Sequence, residues 1–170
     1  MKNKEFVLEL FDRLGQINGK KALQKLVYLA RIFGIETGYS YRFHYFGPYS
    51  DQLAADLDDL IESKAVRNVR GSYALKLNDE LRNNNIDYSE QVNELIEVFG
   101  NKAPSDLELF ATAYFIDKNE KFVFKNYDEE KIIQEIIKAK PKFTRMKVEK
   151  FYNELKDKSY LYNYKISNNN

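Results

Sequence analysis

Apolar residues recur at helical spacing from the start of the chain. Phe6, Val7, Leu10, Phe11 and Leu14 share one face, and Gly15 can take the left-handed conformation that stops a helix. A second helix is expected from Lys20 to Phe33, with Asn18 at its N-cap. Leu23, Leu26, Val27, Ala30 and Phe33 line one side of it, while Tyr28, Leu29 and Ile32 carry apolar surface most of the way round. That distribution predicts a central, buried helix, closed by Gly34. Between 40 and 46 the period falls to two: Tyr41, Phe43 and Tyr45 alternate with Arg42 and His44, as in a short strand with one buried face, and Gly47 and Pro48 break it. Ser50 then caps a third helix, with Leu53, Ala54, Leu57, Leu60 and Ile61 as its buried stripe.

From Ala65 to Leu77 the pattern is that of a β-hairpin turning at Arg70 and Gly71. Three helices followed by a hairpin is the chain order of a winged-helix domain. The polar stretch Arg82 to Asp87 is the best linker, which gives a winged-helix-like domain over 1–81 and a helical subdomain over 88–166. In the second part, Val92, Leu95, Ile96 and Phe99 mark a helix closed by Gly100. Ser105 and Glu108 have the spacing of a capping box ahead of Phe110, Ala111, Tyr114 and Phe115. Ile132, Ile133, Ile136 and Ile137 line the next helix, Pro141 interrupts, and Thr144 caps a last helix carrying Val148, Phe151, Tyr152 and Leu155. The tail Asn168 to Asn170 is expected to fray. The fold class is therefore mainly α with a small β-hairpin.

Composition narrows the chemistry more than the fold. The 170 residues contain no cysteine and one histidine, which excludes disulfides, thiolate nucleophiles and zinc-finger sites. No apolar run approaches the ~18 residues of a membrane helix, and no signal-type stretch follows the charged start, so a cytoplasmic protein that does not enter membranes is expected. The net charge is +1, but its sign is segregated: +3 over 1–76, −8 over 77–136 and +6 over 137–170. Either the acidic and basic segments neutralise each other within the fold, or they form two surfaces for two kinds of partner.

No catalytic residue, metal ligand or cofactor site is expected, because phosphate-cradling glycine loops, nucleophile elbows and HExxH spacings are all missing. His44 reads as a half-buried structural ring without a positioned partner for acid-base work. Asp58 and Asp59, adjacent on a helix, point about 100° apart and do not suit one ion. For nucleic acid the candidates are Arg67 and Arg70 on the wing and Lys138, Lys140, Lys142, Arg145, Lys147 and Lys150 around Pro141. The third helix argues against ordinary groove insertion, since Asp51, Asp56, Asp58, Asp59 and Glu62 would meet the phosphates. Those carboxylates suit a basic protein surface instead, with Tyr49 as the apolar anchor beside them.

The run Lys21-Ala22-Leu23-Gln24-Lys25-Leu26-Val27-Tyr28-Leu29, followed by Tyr45-Phe46-Gly47-Pro48-Tyr49-Ser50 and a Leu-rich helix, resembles the YwgA-like family of uncharacterised prokaryotic proteins. More distantly it is similar to the Panacea domain of SocA-like antitoxins, departing from that pattern at Tyr49. The resemblance covers roughly residues 18 to 66. It implies winged-helix kinship, no enzymatic activity and, through the antitoxins, neutralisation by direct protein contact. In physical terms Gly47 and Pro48 set a tight entry into the third helix, and Gln24 can satisfy a backbone group in that turn. The leading expectation is a non-enzymatic regulatory module with a protein partner, a toxin among the candidates. The alternative is a DNA-binding transcription regulator, acting as a homodimer through its wing and basic C-terminal helices.

Overall fold

A computed structural model of the protein describes residues 3–69, 75–78 and 89–161. They form a mainly helical protein with two small antiparallel hairpins, in the order α1 (Asn3–Leu14), α2 (Gly19–Leu29), a 3-10 helix (Ala30–Phe33), β1 (Arg42–His44), β2 (Gly47–Tyr49), α3 (Asp51–Glu62), β3 (Val66–Asn68), β4 (Leu75–Leu77), α4 (Glu90–Phe99), α5 (Pro104–Phe122), α6 (Glu129–Ala139) and α7 (Arg145–Asp157). The chain gathers into two compact units, residues 1–107 and 108–170, with α5 running from the first into the second.

In the first unit, α2 is central because every residue from Ala22 to Ala30 is buried, leaving no face for water. It touches β2, α3 and α4. Gly15 and Gly34 end α1 and the 3-10 helix in left-handed conformations, φ 71° and 74°, as the sequence suggests. Asn18 occupies the N-cap of α2 but makes no capping bond; its Oδ1 accepts from Gln16 Nε2 at 3.4 Å instead. At the start of α3, by contrast, Ser50 Oγ accepts from the Leu53 N–H at 3.2 Å, a cap that stabilises by about 1 kcal/mol.

The strand expected over 40–46 differs from the observed one. Gly47 and Pro48 do not break the sheet but form its second strand, with Arg42 opposite Tyr49 and His44 opposite Gly47. The alternating buried face is missing too, since Arg42, Phe43 and His44 are all exposed. A two-residue period needs a layer behind the strand to bury one side, and in this ribbon it is β2 that packs on α2 while β1 stays exposed. The second hairpin pairs Val66 with Leu77 and Asn68 with Leu75, as expected of the wing, while its turn at Arg70 and Gly71 lies outside the described residues, as do the 82–87 segment and the 168–170 tail.

Helix α4 packs on α2 and on the 3-10 helix, with the Phe33 and Phe99 rings edge to face at 6.1 Å. It therefore sits in the first unit. Gly100 is required there by close approach rather than by backbone angle: a Cβ at this position would lie 2.6 Å from the Ile96 carbonyl oxygen and 2.8 Å from Leu14 Cδ2.

The capping box expected at Ser105 and Glu108 does not form. Pro104 takes the first helical position, where its missing N–H is no loss, and the Ala103 carbonyl accepts from the Asp106 and Leu107 N–H groups. Glu108 is thereby released to the interior. In the second unit α6 packs on α7, the Phe110 and Phe151 rings stack at 4.4 Å, and Thr144 caps α7 through Lys147 N–H as predicted. Asp128 caps α6, accepting from Glu130 and Lys131 N–H.

Candidate functional site

The two blocks of sequence that stand out, Lys21–Leu29 and Tyr45–Ser50, meet in space. Gln24, on α2, holds the backbone of Ser50 from both sides: its Nε2 donates to the Ser50 carbonyl at 2.8 Å and its Oε1 accepts from the Ser50 N–H at 2.9 Å. Lys25, next to it and fully buried, donates from Nζ to the Pro48 carbonyl at 2.6 Å. A side-chain amide bonding both the N–H and the carbonyl of one residue acts like a neighbouring strand, so β2 is docked onto α2 without a third strand. The expected role of Gln24 is thus observed. The buried Lys25 was not foreseen, although the apolar surface wrapping most of α2 left little polar face for it. Burying an ammonium is tolerated only with hydrogen-bond partners, and the Pro48 carbonyl of β2 is one.

This lock fixes the base of β1–β2 while leaving its tip in solvent. Phe43 is 42% exposed, Phe46 44% and Tyr45 81%. Tyr45 and Phe46 rings meet edge to face at 4.9 Å, His44 lies 5.4 Å from the Tyr49 ring and 6.4 Å from Phe46, and Lys21 Nζ lies 5.4 Å from the centre of Phe46. His44 is therefore an exposed ring in an aromatic cluster, not a half-buried one. Tyr49 is partly buried, its ring beside His44, so it stands behind the tip rather than on it.

The acidic face of α3 is present but largely answered from within the same unit. Asp51 forms a two-bond pair with the Arg42 guanidinium at 2.9 and 3.0 Å, which holds the Asp51 carboxyl below its usual range and raises Arg42. Lys20 pairs with Asp58 and Lys4 with Asp59, each at 2.6 Å. Asp56 accepts from the Tyr39 hydroxyl at 2.8 Å and lies 3.6 Å from Lys4. Glu62 is exposed and makes no ion pair among the described residues. Five carboxylates thus face three cations, and the helix keeps a small acidic excess.

The basic cluster around Pro141 is answered more completely. Lys140 is only 2% exposed and donates to Glu108 Oε1 at 2.8 Å, while Lys142 reaches Glu108 Oε2 at 2.8 Å. Arg145 pairs with Glu130 and Glu149 at 2.7 and 2.6 Å, and Lys138 with Glu135. Lys147 lies over the Phe143 and Phe151 rings. Lys150 and Arg67 are exposed, and Arg70 lies outside the described residues. In the second unit, therefore, carboxylates of the acidic 77–136 segment meet cations of the basic 137–170 segment, through Glu108, Glu129 and Glu130, whereas the pairs on α3 join residues within 1–76.

Among the described residues no group of three or more His, Asp or Glu side chains could hold a metal ion, and no helix is long and apolar enough to cross a membrane. Neither a family model nor a solved structure matches the chain. A stretch of 54 residues is 35% identical to the uncharacterised protein YwgA of Bacillus subtilis (strain 168), the match covering 32% of this chain and 32% of that one, so this chain spans about a third of the length of the curated relative it is similar to.

Proposed function

We propose that this is a non-enzymatic cytoplasmic module that acts by direct protein contact, with the tip of β1–β2 as its apolar anchor and the neck of α3 as its polar rim. The observation that carries the reading is the contrast between the hairpin's two ends. Its base is fixed to α2 by Gln24 and Lys25, while Phe43, Tyr45 and Phe46 stand in solvent. Exposed aromatics on a rigid support lose little entropy on binding and suit a desolvated contact. The residual acidity of α3, with Asp51, Asp58, Asp59 and Glu62 at the rim, complements a basic partner surface and steers its approach. In its finer form the activity is antitoxin-like, as in the antitoxins that the Gln24 to Pro48 pattern resembles.

The test is affinity capture from the native host with the wild-type chain and with a Phe43→Ala/Phe46→Ala variant first shown to be folded, each with and without nuclease. A partner lost from the variant and insensitive to nuclease supports the reading; each anchor should cost on the order of 1 to 3 kcal/mol of affinity. Equal capture by both proteins removes the hairpin from the interface. Capture that nuclease abolishes moves the function to DNA binding through Arg67 and Lys150.

A further inference from the structure

Four of the eight large apolar side chains that stand in solvent among the described residues fall within one six-residue stretch of the second unit. Phe122, which ends α5, and Val123, Phe124 and Tyr127, in the turn to α6, are 48% to 67% exposed. Polar groups hold the turn that carries them. The Asn119 carbonyl accepts from the Val123 and Phe124 N–H groups at 2.9 and 3.2 Å, and the Glu120 carbonyl from the Asn126 N–H at 2.9 Å. Asn126 Nδ2 donates to the Glu120 carboxylate at 2.8 Å, and Asn126 Oδ1 accepts from the Asp128 N–H at 3.1 Å. Lys125 stands in the left-handed region at φ 55°, which costs a residue with a Cβ about 1 to 2 kcal/mol. The polar side chains thus fix the turn while the apolar ones face water, the arrangement of a contact surface rather than of an ordinary loop.

Charge at the rim says what the surface fits. At the Phe122 end, Lys125 Nζ lies 5.2 Å from the centre of the ring. At the Tyr127 end, Asp128 opens α6 with its side chain 48% exposed, and Lys131 approaches it only to 3.7 Å. A patch with opposite signs at its two ends is complementary to its own copy turned about a two-fold axis. An anionic lipid surface or a nucleic acid would meet Lys125 favourably but be opposed by Asp128. With half or more of each side chain in water, the four residues offer roughly 400 Å² per copy. Two copies with their rims would bury on the order of 1,000 Å², the size of a reversible association rather than an obligate one.

We propose that the turn between α5 and α6 is a homodimer contact. Phe122, Val123, Phe124 and Tyr127 of two copies pack across a two-fold axis, and Lys125 of each copy faces Asp128 of the other. The contact is independent of the protein-contact reading, because it rests on residues of the second unit and not on the hairpin tip of the first.

Sedimentation equilibrium of the full chain from about 1 μM to 1 mM tests this, a range that brackets the affinity of a small reversible interface. A monomer–dimer equilibrium is expected. Val123→Ser/Phe124→Ser changes side chains already in water, so the urea midpoint should stay in place while dimerisation weakens at least about a hundredfold. Lys125→Asn removes the cation with a residue that accepts the left-handed region, and should weaken the dimer about fivefold. That difference should vanish at ~0.5 M sodium chloride. Phe43→Ala/Phe46→Ala, at the hairpin, should dimerise like wild type. The proposal is overturned by a chain that stays monomeric throughout, whether or not it binds phosphatidylserine vesicles through this turn. It is equally overturned by Val123→Ser/Phe124→Ser or Lys125→Asn dimerising as tightly as wild type, or by a dimer that the hairpin variant loses.

Discussion

Two regions of the molecule pair acidic with basic side chains, and they do so under opposite conditions. On α3, Lys4, Lys20 and Arg42 meet Asp59, Asp58 and Asp51 in solvent, with the Lys20 and Asp58 side chains 60% and 62% exposed. In the second unit, Glu108 and Lys140 meet at the same kind of distance with side chains 1% and 2% exposed. Geometry alone does not tell the two apart. Water does: it screens the α3 pairs, so each partner is nearly as well off alone, whereas neither Glu108 nor Lys140 has water to return to while the fold persists. The first set is an adjustable surface charge, and the second is a condition of folding.

The largest expected effect comes from breaking the buried member. Glu108→Ala should destabilise the protein by about 3 to 5 kcal/mol, because it removes the carboxylate that faces the buried Lys140 ammonium. Urea denaturation measures this, and a Glu108→Gln/Lys140→Met double variant should recover much of the loss, since removing both charges removes the uncompensated one. If Glu108→Ala were as stable as wild type, water would have to reach Lys140 and the contrast with α3 would collapse.

An intermediate effect is expected at the Gln24 clamp, buried like Glu108 but neutral. Gln24→Ala leaves the Ser50 N–H without its partner, while the Ser50 carbonyl keeps only the Ala54 N–H, costing about 1 to 3 kcal/mol at the usual penalty for an unsatisfied buried group. The loss should be local as well as global, with amide exchange at Ser50 accelerating more than in α6 or α7. Uniform acceleration would show that the hairpin is not held by this clamp.

A smaller effect, and a pH-dependent one, is expected at Asp51. Arg42 lowers the folded carboxyl's pKa, so the pair's contribution is present above the unfolded value and is lost as pH falls through the lowered folded value. Carboxyl NMR should therefore place the Asp51 titration below the ordinary carboxylate range in wild type and return it towards that range in Arg42→Ala. Identical titrations in the two proteins would mean that the pair does not persist in solution.

The smallest effect closes the comparison. Asp58→Asn combined with Asp59→Asn should leave the urea midpoint unchanged within error, and if α3 forms the partner's rim, its effect should appear in the association rate and its salt dependence. A clear loss of stability would place these pairs with Glu108 rather than apart from it.

Much of the helical framework was legible because helices are local. The stripes of α1, α3, α6 and α7, the stops at Gly15 and Gly34, and the caps at Ser50 and Thr144 follow from spacing and backbone chemistry within a few residues. The meeting of Gln24 with the Gly47–Ser50 turn was also anticipated, from the two blocks Lys21–Leu29 and Tyr45–Ser50 read together, whereas its neighbour Lys25 on the same helix was not. Where reading failed, a distant element decided. The alternation of Tyr41, Phe43 and Tyr45 signalled a strand correctly but not a buried face, because burial depends on what lies behind the strand.

The charge pattern illustrates the same division. Sequence alone determined that sign is segregated along the chain, that cysteine chemistry is excluded and that the chain is mainly helical with a small hairpin over 65–77; the hairpin of β1 and β2 it read only as a strand. Only the tertiary structure decided that Lys140 is a buried partner of Glu108 rather than a phosphate contact, and that Lys25 lies inside. The physical reason is that an ionic or hydrogen-bonding partner is set by distance in space, and Lys25 and Lys140 find theirs 23 and 32 residues away in the chain. A periodicity of 3.6 or 2 carries information about which face a residue occupies, and none about which side chain will be waiting there.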